Sequence, residues 1–457
     1  MSSLSRLDSS SSSSDDDDDE LILSALHIAH IQYQARNVPR WGGSVVGREY
    51  IHRDRVGGAW RLYNDYFSEN PTYGPTFFRR RFAFNPPIWF RNSQFILFLC
   101  FLIRISFLRF RMGRSLFMRI VQAVEQHDDY FVQKREGNGR LGLSCLQKIC
   151  AAYMMISYGV PADFMDQYIR IGESTVVESL RRFVRSIIEV FGDEYLRSPN
   201  EHDTARLLAI GESRGFPGML GSIDCMHWEW KNCPTAWQGQ YTGHVHKPTI
   251  ILEAVASQDL WIWHAFFGLP GSHNDINVLH RSHLFAKLAE GEALQVNYTI
   301  NCHSYTMGYY LADGIYPKWA TFVKSMKSPL GNKKKYFCQA QEAVRKDVER
   351  AFGVLQSRFA IVRGPAHFWD KETLREIMTA CIIMHNMIVE DERDGNEDFR
   401  YDGVGQLVRP SLSEERNRTH EFHEFMQAHH AIRNVQTHSQ LREDLIEHLW
   451  QRHGDMY

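Results

Sequence analysis

The sequence predicts a mixed α/β domain, a sheet with helices on its faces, preceded by an all-helical region. Three observations carry the prediction. Between residues 219 and 314, short runs rich in β-branched and aromatic residues alternate with turn signals such as Asn232-Cys233-Pro234 and Asp313-Gly314. After residue 340 the apolar period lengthens to that of a helix, with Val344, Val348, Ala351, Phe352, Leu355 and Phe359 falling on one side. Residues 141–191 read as helix throughout. Strands first, with helices interleaved later, describe a sheet that helices cover.

The 457 residues are 44% apolar and 13% aromatic, a globular composition long enough for two or three domains. Lys and Arg number 52 against 54 Asp and Glu, which excludes a wholly basic DNA-coating protein. The balance hides an asymmetry. Residues 1–20 hold seven acids against Arg6, whereas Arg79 to Arg119 holds nine arginines and no acid. Eight cysteines fall at irregular spacing without a CxxC pair, the pattern of reduced intracellular thiols rather than of a disulfide frame or zinc ribbon. No secretory signal is expected, because no basic segment followed by an apolar one opens the chain. The apolar run Phe95–Leu108 contains Arg104 and is shorter than the roughly 20 residues that span a bilayer, so no membrane partner is expected.

Residues 1–20 form a self-repelling acidic tail, expected to be disordered. Residues 21–82 open with a short helical pattern (Ile22, Ala25, Leu26, Ala29) and end in an aromatic, basic stretch, with no readable fold. Residues 83–110 are acid-free and aperiodic. They read either as a buried helix after a Pro-Pro turn or as an insertion foreign to the fold, such as a translated intron. Residues 111–200 make the helical region. Within it, one helix ends near Gly159, Pro161 starts a second, and Ser174 caps a third with the stripe Val177, Leu180, Val184, Ile187 and Ile188. Arg181, Arg182 and Arg185 project away from that stripe, which fits a helix-turn-helix with a basic third helix as well as a bundle with a solvated basic face. SPNEHDTA at 198–205 reads as a linker. Residues 205–392 hold the sheet, with strands at Met219–Trp230, Pro248–Ala256, Leu260–Phe267 and Tyr305–Ala312 and helices at Asn274–Leu288, Ala340–Ile361 and Lys371–Glu390. Residues 393–457 are a charged, His-rich tail closing in an amphipathic helix (Leu441, Leu445, Leu449).

Four carboxylates stand out: Asp224 within an apolar strand, Asp275 at a helix start, Asp313 at a strand end and Glu349 beside the apolar stripe of the long helix. Each has an ordinary explanation. Asp275 can cap its helix, Asp313 can make the Asp-Gly turn, Glu349 can pair with Arg345 one turn back, and Asp224 can be a satisfied polar strand residue. Together they suit another chemistry, because hard divalent cations take oxygen ligands and a two-metal phosphoryl site needs several converging carboxylates. His227, His244, His246, His264, His273, His280 and His283 show no recurrent zinc spacing and read as polar strand and loop residues. Lys231, Lys247 and Lys333 to Lys335 suit phosphate contacts or a solvated face. Gly215, Gly218 and Gly221 form neither a dinucleotide nor a P-loop fingerprint.

The phrases GSIDCMHWEW, HKPTIILEAVASQDLWIWHAFFGLPGSHNDINVL, YYLADGIYPKW, VRKDVERAFGVLQSRFAIVRGPA and IMTACIIMHNMIVEDE occur in that order. Through them residues 110–395 resemble the plant PIF/Harbinger transposases and the related Harbinger transposase-derived nucleases. The resemblance implies an RNase H-like fold with a DDE triad carried over to Asp224, Asp313 and Glu349, and it makes Asp275, in the PGS-x-x-D phrase, a further metal ligand. Arg345-x-x-x-Glu349 is similar to the R-x-x-x-E of related insertion-sequence transposases. Mg²⁺ or Mn²⁺ in a two-metal site is implied, supporting hydrolysis at transposon ends and attack of a 3′-hydroxyl on target DNA. The implied partners are double-stranded DNA, at terminal inverted repeats and target site, and a Myb-like accessory protein; the implied location is the nucleus. The resemblance favours the helix-turn-helix reading, with Arg181, Arg182 and Arg185, and also Lys231 and Lys247, as DNA contacts. It makes 83–110 a departure, with Arg81-Phe82 and Arg109-Phe110 at its edges. A homo-oligomer is left open. So is the alternative that the chain is a domesticated, catalytically silent DNA- or chromatin-binding protein derived from such a transposase.

Overall fold

The computed structural model describes residues 53–79, 110–135, 139–244, 246–284, 296–393 and 430–454, with Ile51, Gly137 and Gln427 in addition. The acidic tail, the helical pattern at 21–40, the apolar run at 83–109 and most of 394–429 lie outside the described residues.

The helical region begins with α1 (Arg55–Tyr66), whose N-cap Asp54 accepts a hydrogen bond from the Gly57 amide at 2.8 Å. Next come α2 (Arg114–His127) and α3 (Cys145–Tyr158); α3 opens on a capping box of Ser144 and Gln147 and closes at Gly159, in the left-handed region at φ 63°. After short turns at 162–169 the third helix of the predicted trio, α4, runs from Glu173 to Tyr195. Its N-cap is Gly172, so Ser174 lies inside the first turn. The buried stripe is wider than predicted: Val176, Leu180, Phe183, Val184, Ile187 and Phe191 are all sequestered, while Val177 and Ile188 are half-buried. Two of the three arginines meet acids of the same chain. Arg182 pairs with Glu178 at 2.7 Å and Asp128 at 3.1 Å, and Arg185 with Glu376 at 3.2 Å. Arg181 is exposed.

The expected linker at 198–205 is a helix start. Asn200 and Asp203 form a capping box that opens α5 (Glu201–Ser213). An Asn ahead of Glu and Asp is an N-terminal helix signal, because the side chains satisfy first-turn amides and the acids favour the positive end of the helix.

The sheet consists of β1 (Met219–Glu229), β2 (Thr249–Ala256) and β3 (Ile262–Pro270), then, after the short α6 (Asp275–Leu279), β4 (Tyr309–Ala312) and β5 (Phe322–Lys324). Its order is β3-β2-β1-β4-β5, antiparallel through the first three strands and parallel from β1 to β4 and β4 to β5. It is a five-stranded mixed sheet flanked by helices, compatible with an RNase H-like fold. The strand read at Tyr305–Ala312 is broken in two. His303–Tyr305 pairs with Tyr298–Ile300 in a separate hairpin, and β4 starts afresh at Tyr309. The helix read at Asn274–Leu288 is helical for five residues only, and 285–295 lie outside the described residues. The long helix α7 (Asn332–Arg358) begins eight residues before the expected start, because its first turns carry exposed lysines rather than an apolar stripe. It is followed by α8 (Lys371–Arg393) and α9 (Val435–Gly454). Leu441, Leu445 and Leu449 of α9 are buried against α7, as their spacing predicts.

One apolar cluster holds Met226 and Trp228 of β1, Leu252 and Ala254 of β2, and Val348, Phe352 and Leu355 of α7. It continues through α8 into α3 and α4, across the boundary drawn at residues 200–205. Asn386 locks that seam. It is fully buried, accepts from the Ile262 amide at 2.9 Å and donates to the carbonyls of Tyr195 at 2.7 Å and Ile262 at 2.8 Å. The opposite face of the sheet carries a smaller cluster of Ile223, Val255, Leu279, Ala312, Tyr316 and Phe322.

Candidate active site

Among the described pairings, the last parallel pair between β1 and β4 joins Ser222 to Leu311. Asp224 follows two residues later on β1, and Asp313 directly follows β4. The two acids therefore sit side by side where the sheet opens, on strands whose backbones are held by the ladder.

Strand alternation sends neighbouring side chains of β1 to opposite faces. Ser222 and Asp224 face α7: the Ser222 hydroxyl donates to the Val344 carbonyl at 3.3 Å, and Asp224 Oδ2 lies 3.2 Å from Arg345 Nη1. The same guanidinium nitrogen is 2.9 Å from Glu349 Oε1. Arg345 thus bridges Asp224 and Glu349, and the i,i+4 pair foreseen in the sequence is one arm of the bridge. Cys225 faces the other way, with its Sγ 3.7 Å from the Tyr316 hydroxyl. Asp275 opens α6, but its neighbour Asn274 is the cap, accepting from the Asn277 amide at 2.9 Å. Asp313 does close its turn: its Oδ1 accepts from the Ile315 amide at 2.7 Å.

The charges of Asp275 and Glu349 act on Asp224, and that of Asp313 acts on Asp275. Burial pushes the Asp224 carboxyl up to about 6; the charges of Asp275 and Glu349 push the same way, against the Cys225 amide and Arg345. Asp275 is also raised, first by burial and then by the charge of Asp313, with Glu253 adding to the effect. Nearby acids thus raise both Asp224 and Asp275, and at Asp224 the guanidinium of Arg345 opposes them.

Glu253 was passed over in the sequence. It lies opposite Cys225 in the β1–β2 register and is fully buried. Its Oε1 is 3.3 Å from His264 Nε2, and its Oε2 has no hydrogen-bond partner. The signal was present: a lone acid in TIILEAVA is as anomalous as Asp224 in its own strand.

The four acids offer carboxylate oxygens of the kind a hard divalent cation takes, while the unsatisfied buried oxygen belongs to Glu253, outside that set. The geometry of the four is not drawn together. Among the described residues no group of three or more His, Cys, Asp or Glu side chains is arranged to hold a metal ion. The reason is visible: Arg345 stands between Asp224 and Glu349, and Asp313 is turned to its own loop. The remaining basic candidates are scattered. Lys247 pairs with Glu229 at 3.0 Å, Lys333 with Glu447 at 2.7 Å, and Lys231 is exposed at the far end of β1. His227 contacts the Thr249 hydroxyl at 2.9 Å, and burial followed by the neighbouring His244 lowers its pKa, in keeping with a polar strand residue.

Residues 193–396 match the family described as plant transposon protein. That segment belongs to the plant transposon protein family. The matched segment holds all four acids and Glu253, and the match agrees with the PIF/Harbinger resemblance. Residues 58–91, from α1 into the apolar stretch, match a domain of unknown function. A relative in Arabidopsis thaliana, Protein ALP1-like, is 24% identical over 259 residues, covering 55% of this chain and 62% of that protein. The chain therefore spans less than two thirds of that relative's length. No solved structure matches. Among the described residues no helix is long and apolar enough to cross a membrane.

Proposed function

We propose that the chain is a divalent-metal-dependent DNA endonuclease and transposase that cuts at transposon ends and joins the 3′-hydroxyl to target DNA in the nucleus. The observation that carries this reading is the electrostatic grouping of Asp224, Asp275, Asp313 and Glu349 at the open end of β4, within the plant transposon protein segment. Asp224, Asp313 and Glu349, with Asp275, would hold Mg²⁺ or Mn²⁺. Bound there, the cation supplies charge neutralisation, an activated water and a stabilised leaving oxygen. The chain's own contribution is placement. β1 and β4 fix Asp224 and Asp313 on adjacent strands, while Glu349, 44% exposed on α7, is free to adjust. Arg345 neutralises Asp224 and Glu349 in the resting fold and has to release them when a cation enters. With its carboxyl raised only to about 6, Asp224 is mostly ionised at neutral pH and ready to serve as a ligand.

The test is nicking of duplex DNA carrying a cognate terminal repeat, with Mn²⁺ or with chelator. Metal-dependent nicks abolished by Asp224→Asn and Glu349→Gln support the reading, and equal cutting by the variants overturns the assignment. A second reading, a domesticated DNA-binding protein, is favoured by the Arg345 bridge that already occupies the space between two of the acids. It is distinguished by metal-independent binding that leaves DNA uncut. Under the first reading the proposed partners are terminal repeats, target DNA and a Myb-like protein; under the second they are DNA or chromatin.

A further inference from the structure

A cleft of about 540 Å³ lies on the sheet's β3 side, beneath the short helix Thr235–Tyr241 and beside the start of α8. Its lining includes Trp237, Tyr241, Gly268, His273, Arg281 and Lys371, and none of the residues lining it is acidic. That contrasts with its neighbour, since the segment 271–281 that contributes His273 and Arg281 also carries Asp275.

Three features make the cleft a built site rather than a dent. Trp237 is 45% exposed, yet its indole is propped from behind by Trp230 at 6.1 Å and by the Tyr241 ring at 6.4 Å and 29°. An aromatic face is thus held rigid and open. Arg281 is aimed by His273, its Nη1 donating to His273 Nε2 at 2.8 Å. Gly268 is the extra residue of a β-bulge where the β2–β3 register shifts; its φ of 122° suits glycine, and a Cβ there would meet nothing within 4 Å. The bulge bends β3 and leaves the wall of the cleft bare.

We propose that this cleft is a nucleotide subsite, in which an unpaired base of the DNA stacks on Trp237 while Arg281 and Lys371 hold the adjoining phosphates. The inference rests on the nuclease reading above and deepens it. A volume of this order accommodates one nucleotide, aromatic stacking accepts any base, and an acid-free basic rim suits phosphate. The segment 271–281 supplies both Arg281 of the cleft and Asp275 of the acid group, which links the two along the chain. The subsite would select ends that are already frayed or single-stranded.

The experiment uses the full chain carrying Glu349→Gln, without divalent metal, and two probes: a blunt duplex, and the same duplex with a five-nucleotide single-stranded 3′ overhang containing one 2-aminopurine. The expected result is tighter binding of the overhang probe with quenched 2-aminopurine fluorescence. Trp237→Ala removes the quench and weakens overhang binding about tenfold while leaving the blunt duplex unchanged, in line with stacking energies. Trp237→Phe retains most of both. Arg281→Glu, a change at an exposed side chain, weakens overhang binding without disturbing the Trp237 platform. If Trp237→Ala and Arg281→Glu both bind and quench as the parent does, the subsite is refuted and the nuclease reading stands. If neither probe is bound by any form of the chain, both fall.

Discussion

Replacing Asp224 with Asn removes a buried charge that the metal-free fold tolerates poorly, so the variant is expected to be more stable than the parent at neutral pH. The Asp224 carboxyl stands near 6 in the fold against an ordinary 3.8. At about 1.4 kcal/mol per pH unit, that difference is worth roughly 3 kcal/mol. The side chain is only 20% exposed, and the raised value already includes the opposing attraction of Arg345, so the expected gain is about 2–3 kcal/mol. The folded value lies above the unfolded one. The stability contributed by the protonated form is therefore fully present below about pH 4 and is lost as pH rises through about 6. The assay is urea unfolding of both proteins in chelator at pH 4 and pH 7.5. A gap near zero at pH 4 that opens to about 2–3 kcal/mol in favour of Asp224→Asn at pH 7.5 is the expected result. A variant equally less stable at both pH values would show that Asp224 is a satisfied structural residue, and the reasoning would fail.

Three further outcomes follow from the same geometry. Millimolar Mn²⁺ is expected to raise the melting temperature of the parent more at pH 7.5 than at pH 5, because cation binding has to displace protons from Asp224 and Asp275; a pH-independent shift shared by Asp224→Asn would place the cation elsewhere. Arg345→Gln strips the bridge from two carboxylates and is expected to cost about 1–3 kcal/mol in chelator, with Mn²⁺ restoring most of it; isothermal titration and melting read both parts, and a loss that Mn²⁺ leaves untouched would contradict the shared-cation picture. Asn386→Leu leaves three buried backbone groups at the α4–β3–α8 seam without partners, a loss of about 3 kcal/mol or more; a change below about 1 kcal/mol would mean that the seam is held otherwise.

The strands β1, β2 and β3 were legible because one or both of their faces are buried and turn residues punctuate them. β5 was not, since Phe322-Val323-Lys324 is too short to show a period. The start of α7 was hidden for the opposite reason: Lys333 and Lys335 face water and Lys334 is half-buried, and a first turn of lysines offers no apolar side to read. SPNEHDTA reads as a linker on its polarity, whereas in the fold Asn200 and Asp203 cap the start of α5. In α4 a single stripe was foreseen, but helices pack on it from two sides, and that is a tertiary fact. The site divides in the same way. Lone acids in apolar or capped settings were readable one at a time, and Glu253 by the same rule. That Arg345 reaches across to Asp224 as well as to Glu349 depends on where α7 crosses β1, a relation between residues 121 positions apart.

The central claim is that four acids from distant positions form one cutting site. The measurement that tests it most directly is the single-turnover rate of strand cleavage in Mn²⁺ by the parent and by Asp224→Asn, Asp275→Asn, Asp313→Asn and Glu349→Gln, with DNA affinity measured alongside. A loss on the order of a thousandfold in each variant at unchanged affinity is the predicted result, and near-parent cleavage by any one of the four would contradict it.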